Sequence, residues 1–442
     1  MLEDNFIALS RGGDEGPRMH IPKRGGNIVG AIDGLKVVDL TRFVSGTFCS
    51  MQLADHGADV IKIESPIDRG DELRSWGPFD GGKSYYFMSL NKNKRSVAID
   101  LRKTEGIEIV KRLVERGDVL VENFRPGVMD KMGLSWEEVH KINPRIVYCS
   151  ITAYGQTGPF KNKAGFDPSV QGDSGFMDIT GFEIPTRVGI GLTDFIGAFY
   201  GLSGILMALM AREKTGKGQR VDASMLDGML ALLTYQAGTY FATGKTPVRT
   251  GNRHPQQTPY STFPTKDGFV IIAAGTQKLW ENLCRNVLKQ PDLINDSRFL
   301  TVKHRNQEHT LLESIIEKIT RDKTTDEWLA LLEQQGIPSG KVRTVKEALE
   351  LEHTKAREMV VEINDKLRGK IKLLGIPTKM SLTPGAIRLM PPFLGEHTEE
   401  VMKELGYSEK QVRQLENKNI IRQYVTGHLT LLTSHHPLVS FS

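Results

Sequence analysis

From Leu35 onward, short apolar runs alternate with stretches whose apolar residues recur every three or four positions. LKVVDL, DVIKIE, RSVAIDL, DVLVENF and RIVYCSITAY have the length and β-branched content of strands, while FCSMQLADHG, EGIEIVKRLVERG and WEEVHKI show helical spacing. This βαβ rhythm predicts a parallel sheet covered by helices, and therefore an α/β fold. No G-x-G-x-x-G follows the first strand, so dinucleotide binding is not indicated.

A longer apolar run, RVGIGLTDFIGAFYGLSGILMALMAR, occupies residues 187–212 and predicts a long helix. Gly197, Gly201 and Gly204 fall on one face of it, although each glycine costs about 1 kcal/mol relative to alanine in a helix interior. A smooth face of this kind suggests tight packing against a sheet or another chain. Asp194 is the one carboxylate in the run. Its ordinary role at that position is to cap the helix together with Thr193, because a side-chain oxygen there can accept an otherwise unpaired backbone N–H.

After this helix the pattern changes. YSTFPTKDGFVIIAAG predicts a hairpin turning at Lys266-Asp267-Gly268, followed by helices over 276–289, 309–320 and 325–335, which together read as a smaller α+β unit. RGKIKLLGIPTKM predicts a strand and SLTPGAIRLMPPFLGEHT an extended crossing. A last helix is expected from Ser408, with Gln411 at capping-box spacing.

Composition narrows the class. The chain has 442 residues, long enough for two or three domains, with 39% hydrophobic and 25% charged residues. A net charge of +5 without a dense Lys/Arg block argues against nucleic acid as a partner. Cys49, Cys149 and Cys284 form no C-x-x-C pair, which points away from a metal site or disulfide framework and toward a reducing, cytoplasmic setting. Glu3, Asp4, Asp14 and Glu15 make the N-terminus unlike a signal or transit peptide. The run Phe195 to Ala211 raises a membrane span, but it is at the short limit and holds three glycines, so no membrane partner is expected. His435-His436 reads as exposed tail, not as a metal site.

Eight phrases carry a further reading: LKVVDLTRFVSG, ADHGADVIKIE, LNKNKRSVAIDL, VENFRPGVMDKMGL, INPRIVYCSITAYGQTGP, AGFDPSVQGDSG, KTGKGQRVDASMLDG and PPFLGEHT. In this order, over roughly residues 33 to 424, they resemble the class III CoA-transferases, the formyl-CoA, carnitine and succinyl-CoA transferases. The resemblance implies a large Rossmann-like parallel-sheet domain built from both chain ends, a smaller inserted α+β domain, and an interlocked ring homodimer. On this basis residues 1–32 are a loose extension, 33–228 the large CoA-binding domain, 229–350 a linker and the small domain, 351–424 a linker and the return to the large domain, and 425–442 a tail.

The resemblance also implies a site. The family's nucleophilic aspartate maps onto Asp194 in GLTDFIG, where it forms a mixed anhydride and then an aspartyl-CoA thioester; such relays divide a hard exchange into easier steps. Asp194 is expected to be anionic, since a model value near 3.9 is overturned at pH 7 only by strong uncompensated burial. The CoA groove is implied to include Val44, Ser45, Ile99, Arg102, Asn123, Phe124, Arg125, Lys131, and the segment from Lys163 to Phe166. Read without the resemblance, Arg102 and Lys131 are ordinary surface charges. Gly251, in TGNRHP, is the candidate for the family's glycine loop over the site. Relatives have arginine where this chain has Ser65, and Arg69 is a candidate replacement. No tightly bound cofactor is implied: coenzyme A is part of substrate and product, and the partners are acyl-CoA and a carboxylic acid.

Three alternatives accompany this reading. An α-methylacyl-CoA racemase shares the fold and aspartate but needs a histidine where this chain has Phe166, and phenylalanine cannot carry a proton. A non-catalytic CoA-binding protein would keep the groove without needing Asp194. Within the transferases, succinyl-CoA with a dicarboxylate is the first expectation and formyl-CoA with oxalate the second. His56 and His397 also fall in family phrases, with structural or turn roles expected for both.

Overall fold

The computed structural model describes residues 30–424. The expected extension over 1–32, apart from its last three residues, and the tail over 425–442 with His435-His436 lie outside them.

Six parallel strands form the main sheet: β1 (Lys36–Asp39), β2 (Asp59–Glu64), β3 (Lys94–Ile99), β4 (Val119–Glu122), β5 (Val147–Thr152) and β6 (Arg220–Ser224). They lie in the order β3-β2-β1-β4-β5-β6, and the strand Ile421–Arg422 adds antiparallel to the free edge of β3, with Ile421 opposite Ile99. The five runs read as strands in the sequence all form strands of this sheet. Their continuous apolar character follows from burial on both faces: β3 and β5 are buried along their whole length.

The order matters for function. β1 is followed outward by β2 and β3 on one side, and the chain then returns to place β4 on its other side. In open α/β sheets the crevice at such a reversal, outside the carboxyl ends of the strands, is where ligands bind.

The helices that position the site are α1 (Ser45–Asp55), α2 (Thr104–Arg116), α3 (Asp167–Asp173), α4 (Leu192–Thr215), α5 (Met225–Leu232) and α6 (Thr234–Thr243). α1 and α4 cover one face of the sheet: Cys49, Leu53, Ala198, Ile205 and Ala208 share a core with Val37, Val60, Val121, Cys149 and Ile151. α2 lies on the opposite face, where Ile107, Val110, Leu113 and Val114 make the apolar stripe that its spacing predicts. α4 is long and apolar enough to cross a membrane by length and composition, and in this fold its buried face rests on the chain's own sheet.

The glycine face has a definite partner. A Cβ on Gly197 would sit 2.8 Å from Met225 Cγ, one on Gly201 2.7 Å from Ile151 Cδ1, and one on Gly204 2.5 Å from Val221 Cγ1. These glycines therefore serve close packing on β5, β6 and α5 of the same chain, the sheet packing that the smooth face suggested. The capping expectation for Thr193 and Asp194 is corrected. Gly191 is the N-cap residue and no side chain caps α4 locally; Asp194 lies inside the first turn.

Further along, the expected hairpin forms from Tyr260–Pro264 and Phe269–Ala273, and Ser339–Lys341 pairs with the second strand. Trp280, Phe299, Leu312, Ile316 and Trp328 give this region a core of its own. The expected strand Gly369–Leu374 pairs with Val360–Asp365, which the sequence pattern had not separated from its surroundings. The last helix, Glu409–Asn417, starts as expected with a Ser408–Gln411 capping box.

Candidate active site

The carboxyl end of β1 is shaped by buried charge. Asp39 accepts hydrogen bonds from Thr41 N–H (2.8 Å), Ser50 Oγ (2.7 Å) and Lys94 Nζ (3.0 Å). Burial opposes its ionisation, but Lys94, Lys62 and the two hydroxyls hold its carboxyl below the ordinary value. Lys62 donates to the Thr41 carbonyl (2.7 Å) and pairs with Asp71 (2.9 Å), with both side chains shielded from water. Breaking either pair would leave an uncompensated buried charge, at about 3–5 kcal/mol.

This network fixes the loop from Thr41 to Ser45. Phe43 adopts φ +59°, a region unfavourable for a residue with a Cβ, and its N–H donates to Asp71 Oδ1 at 3.3 Å. On the other side Asn123 brackets Arg42, accepting its N–H at 2.9 Å and donating to its carbonyl at 2.7 Å, and reaches Ser45 Oγ at 3.3 Å. Val44 shares an apolar cluster with Leu73, Phe87 and Leu90, against which Phe195 packs. The loop is thereby brought to the first turn of α4.

Asp194 stands in that turn, half-buried, with no hydrogen-bond or ion-pair partner among the described residues. Its Oδ2 lies 2.9 Å from where a Cβ on Gly191 would be, so only glycine leaves that space open. Burial, and then the negative charge of Asp167, push its carboxyl up to about 7. Burial and Asp167 thus both act against the anionic form expected from the sequence.

Asp167, at the start of α3, is buried and organises this corner. It accepts from Thr193 N–H (3.0 Å) and Oγ1 (3.1 Å), from Gln171 Nε2 (2.9 Å) and from Arg187 (3.3 Å). The acceptor for a free N–H of α4 is therefore supplied by another helix. Aromatic rings cluster nearby: Phe43 lies 5.7 Å from Trp76 and 5.9 Å from Phe166, and Trp76 lies 5.9 Å from Tyr86. The Tyr86 phenol is raised by burial and by Asp194 and Asp167, which places it in the same electrostatic neighbourhood.

Of the groove residues named from sequence, Ile99, Arg102 and Phe124 line one cavity of about 170 Å³ beside Arg42 and Ser65. Ile99 is fully buried and reaches it only as wall. Arg102 is mostly exposed and bound to Asp100 at 2.9 Å. Arg125 lines a different cavity, of about 330 Å³, together with Arg220 and a Glu122 carboxyl that burial pushes up to about 7. Lys163 pairs with Asp173 and lies over the Tyr154 and Phe160 rings, whereas Phe166 meets Phe43. Lys131 is exposed at the end of a short helix.

Three other expectations fare differently from one another. Arg69 is exposed and is not part of the cavity wall at Ser65, where Arg42 and Arg102 are the cations. Gly251 adopts φ +59° against Phe182, with its N–H on the Gly181 carbonyl, and it makes no recorded contact with Asp194. His56 and His397 are structural: Nδ1 of His56 lies 3.1 Å from the Gln52 carbonyl at the end of α1, and Nδ1 of His397 accepts from Ser96 N–H at 3.3 Å. Sequence reasoning missed Trp76, Tyr86, Asp167 and Arg187. Asp167 stood in a quoted phrase, but its meaning depends on α4; the two aromatics lie in an aperiodic stretch.

Fold and site define an α/β protein with a ligand crevice at the reversal point of its sheet and an unpaired carboxylate beside it. Comparison with known proteins makes this specific. The family model for CoA-transferase family III matches residues 32–398. A mouse succinyl-CoA:glutarate CoA-transferase is 38% identical over 399 residues, covering 89% of this chain and 91% of its own. An acetyl-CoA:oxalate CoA-transferase from Acetobacter aceti is 41% identical over 355 residues, 80% of this chain and 90% of its own. A crystal structure of a CaiB/BaiF family protein from Brucella suis superposes with a TM-score of 0.76 at 38% identity, over 85% of this chain and 99% of that one. The chain belongs to CoA-transferase family III and is a CoA-transferase.

Proposed function

We propose that Asp194 is the nucleophile of this transferase and that the acids exchanged are small dicarboxylates, with succinyl-CoA as the first donor to try. The observation that carries the proposal is the half-buried, unpaired carboxyl of Asp194 in the first turn of α4, beside the crevice loop. The carboxylate adds to the thioester carbonyl and expels CoA thiolate, giving a mixed anhydride. The thiolate adds to the aspartyl carbonyl of that anhydride and releases the donor acid as its carboxylate. An acceptor carboxylate then attacks the aspartyl-CoA thioester, and the returning thiolate takes the new acyl group and frees Asp194. No proton is consumed over the cycle. Water would hydrolyse either intermediate, so the bound substrates must cover the carboxyl during turnover.

Substrate class rests on relatives: the acceptors in their names, glutarate and oxalate, are dicarboxylic, and of the donors succinyl-CoA carries a second carboxylate while acetyl-CoA does not. CoA would lie across the crevice, with Arg42 and Arg102 in the cavity at Ser65 suited to its phosphates. We further propose that residues 229–350 are the inserted smaller domain, that two chains interlock as a homodimer, and that the protein works in a reducing, cytoplasmic compartment, where its three buried free cysteines persist.

The test is Asp194→Asn. CoA exchange should fall by at least about 10³-fold while CoA binding stays near wild type, and hydroxylamine added during turnover of wild-type enzyme should label position 194. Full activity in the variant, or no label with any donor, would remove the nucleophile.

A further inference from the structure

Asp194 itself has no cation beside it: burial and another carboxylate dominate its surroundings. A dicarboxylate bound with one end at Asp194 nevertheless carries a second full charge, and burying that charge unpaired is costly. Among the described residues, Arg187 is a cation placed at this corner to meet it. Arg187 lies in the approach to α4 and touches Asp167 through a single NH1 contact of 3.3 Å. Its side chain is 49% exposed, and among the described residues its Nε and NH2 have no protein partner. Asp167 is meanwhile fixed by Thr193 and Gln171, so the guanidinium is anchored at one edge and open at the other.

We propose that Arg187 receives the distal carboxylate of the acyl and acceptor dicarboxylates, making it the residue that selects dicarboxylic over monocarboxylic acids. The inference rests on the Asp194 reading above and adds the substrate's second contact. Three features suit Arg187 to the part. The planar fork of a guanidinium matches a carboxylate with two parallel hydrogen bonds. Anchorage on Asp167 ties it to the residue that also holds Thr193, next to Asp194, so the two ends of a substrate are gripped from one rigid corner. The absence of a cation against Asp194 keeps the reacting end free of a competing ion pair, while the charge of Arg187 falls one carboxylate away.

The experiment compares each of a series of two- to six-carbon dicarboxylates with its monomethyl ester as CoA acceptor. The ester keeps the chain length and masks the distal charge. Wild-type enzyme should prefer the diacid in kcat/KM, and Arg187→Gln should reduce that preference about 10- to 100-fold, mainly by raising KM for the diacid, the range expected for a lost charge-assisted contact. The monoester rate should change little, and Arg187→Lys should restore part of the preference. Equal losses for diacid and monoester would mean a structural role and overturn the proposal, as would no diacid preference in wild type or an unchanged preference in Arg187→Gln. Hydroxylamine labelling at Asp194 is read in the same samples. Labelling with an unchanged preference sinks Arg187 alone, and absent labelling sinks the nucleophile.

Discussion

The proposed nucleophile would work as the anion, yet burial and Asp167 push the Asp194 carboxyl up to about 7. Only the ionised fraction reacts, so kcat/KM for acyl-CoA should rise through about pH 7 and fall about tenfold per unit on the acid side. The neighbouring charge contributes with a definite sign. Asp167 raises the Asp194 pKa, so Asp167→Asn should move the acid limb to lower pH, and a rate profile in both proteins from pH 5 to 9 measures the shift. An unmoved limb would mean that Asp167 acts on position alone. Asp194 was singled out through the family resemblance, since its own surroundings read as a helix cap, and its protonation was not legible at all. That depends on Asp167, carried by a separate helix, and on burial that exists only once α1 and α4 lie side by side.

At the scale of an element, α4 shows which local rules reach across the fold. Three glycines on one face announced a close approach, but the surface approached belongs to β5, β6 and α5 and cannot be read from the helix itself. Gly204→Ala would gain about 1 kcal/mol of helix propensity and force a methyl toward Val221 Cγ1, whose β-branched side chain has little freedom to yield. With overpacking costing about 1–3 kcal/mol, the expected net effect is a lower thermal unfolding midpoint, measured by calorimetry or circular dichroism. Capping shows the opposite pattern. Ser408 and Gln411 satisfy each other within one helix and were legible; Thr193 looks like a cap but gives its N–H to Asp167, a partner that sequence spacing does not reveal.

For the molecule as a whole, the βαβ rhythm gave β1 to β5 directly, because burial leaves uninterrupted apolar runs, whereas the more exposed and polar β6 at the sheet edge was missed. The antiparallel addition of Ile421–Arg422 was hidden in two residues. One face remains apolar and open: Phe199, Met207 and Met210 on α4 are 49%, 63% and 70% exposed, and Phe241 on α6 is 81% exposed. The proposed dimer would cover such surface. Sedimentation should give a dimer for the wild-type chain, and Met207→Asp with Met210→Asp should shift it to monomer or aggregate; a wild-type monomer would refute the interlocked assembly. The late strand also sets a timetable for biosynthesis. β3 leaves the ribosome more than three hundred residues before Ile421 (421 − 99 = 322). At about 5–20 residues per second its unpaired edge waits on the order of tens of seconds. Over that interval the carboxyl end of β3, at Ala98 and Ile99, lacks its antiparallel partner and offers backbone groups that another chain could pair with.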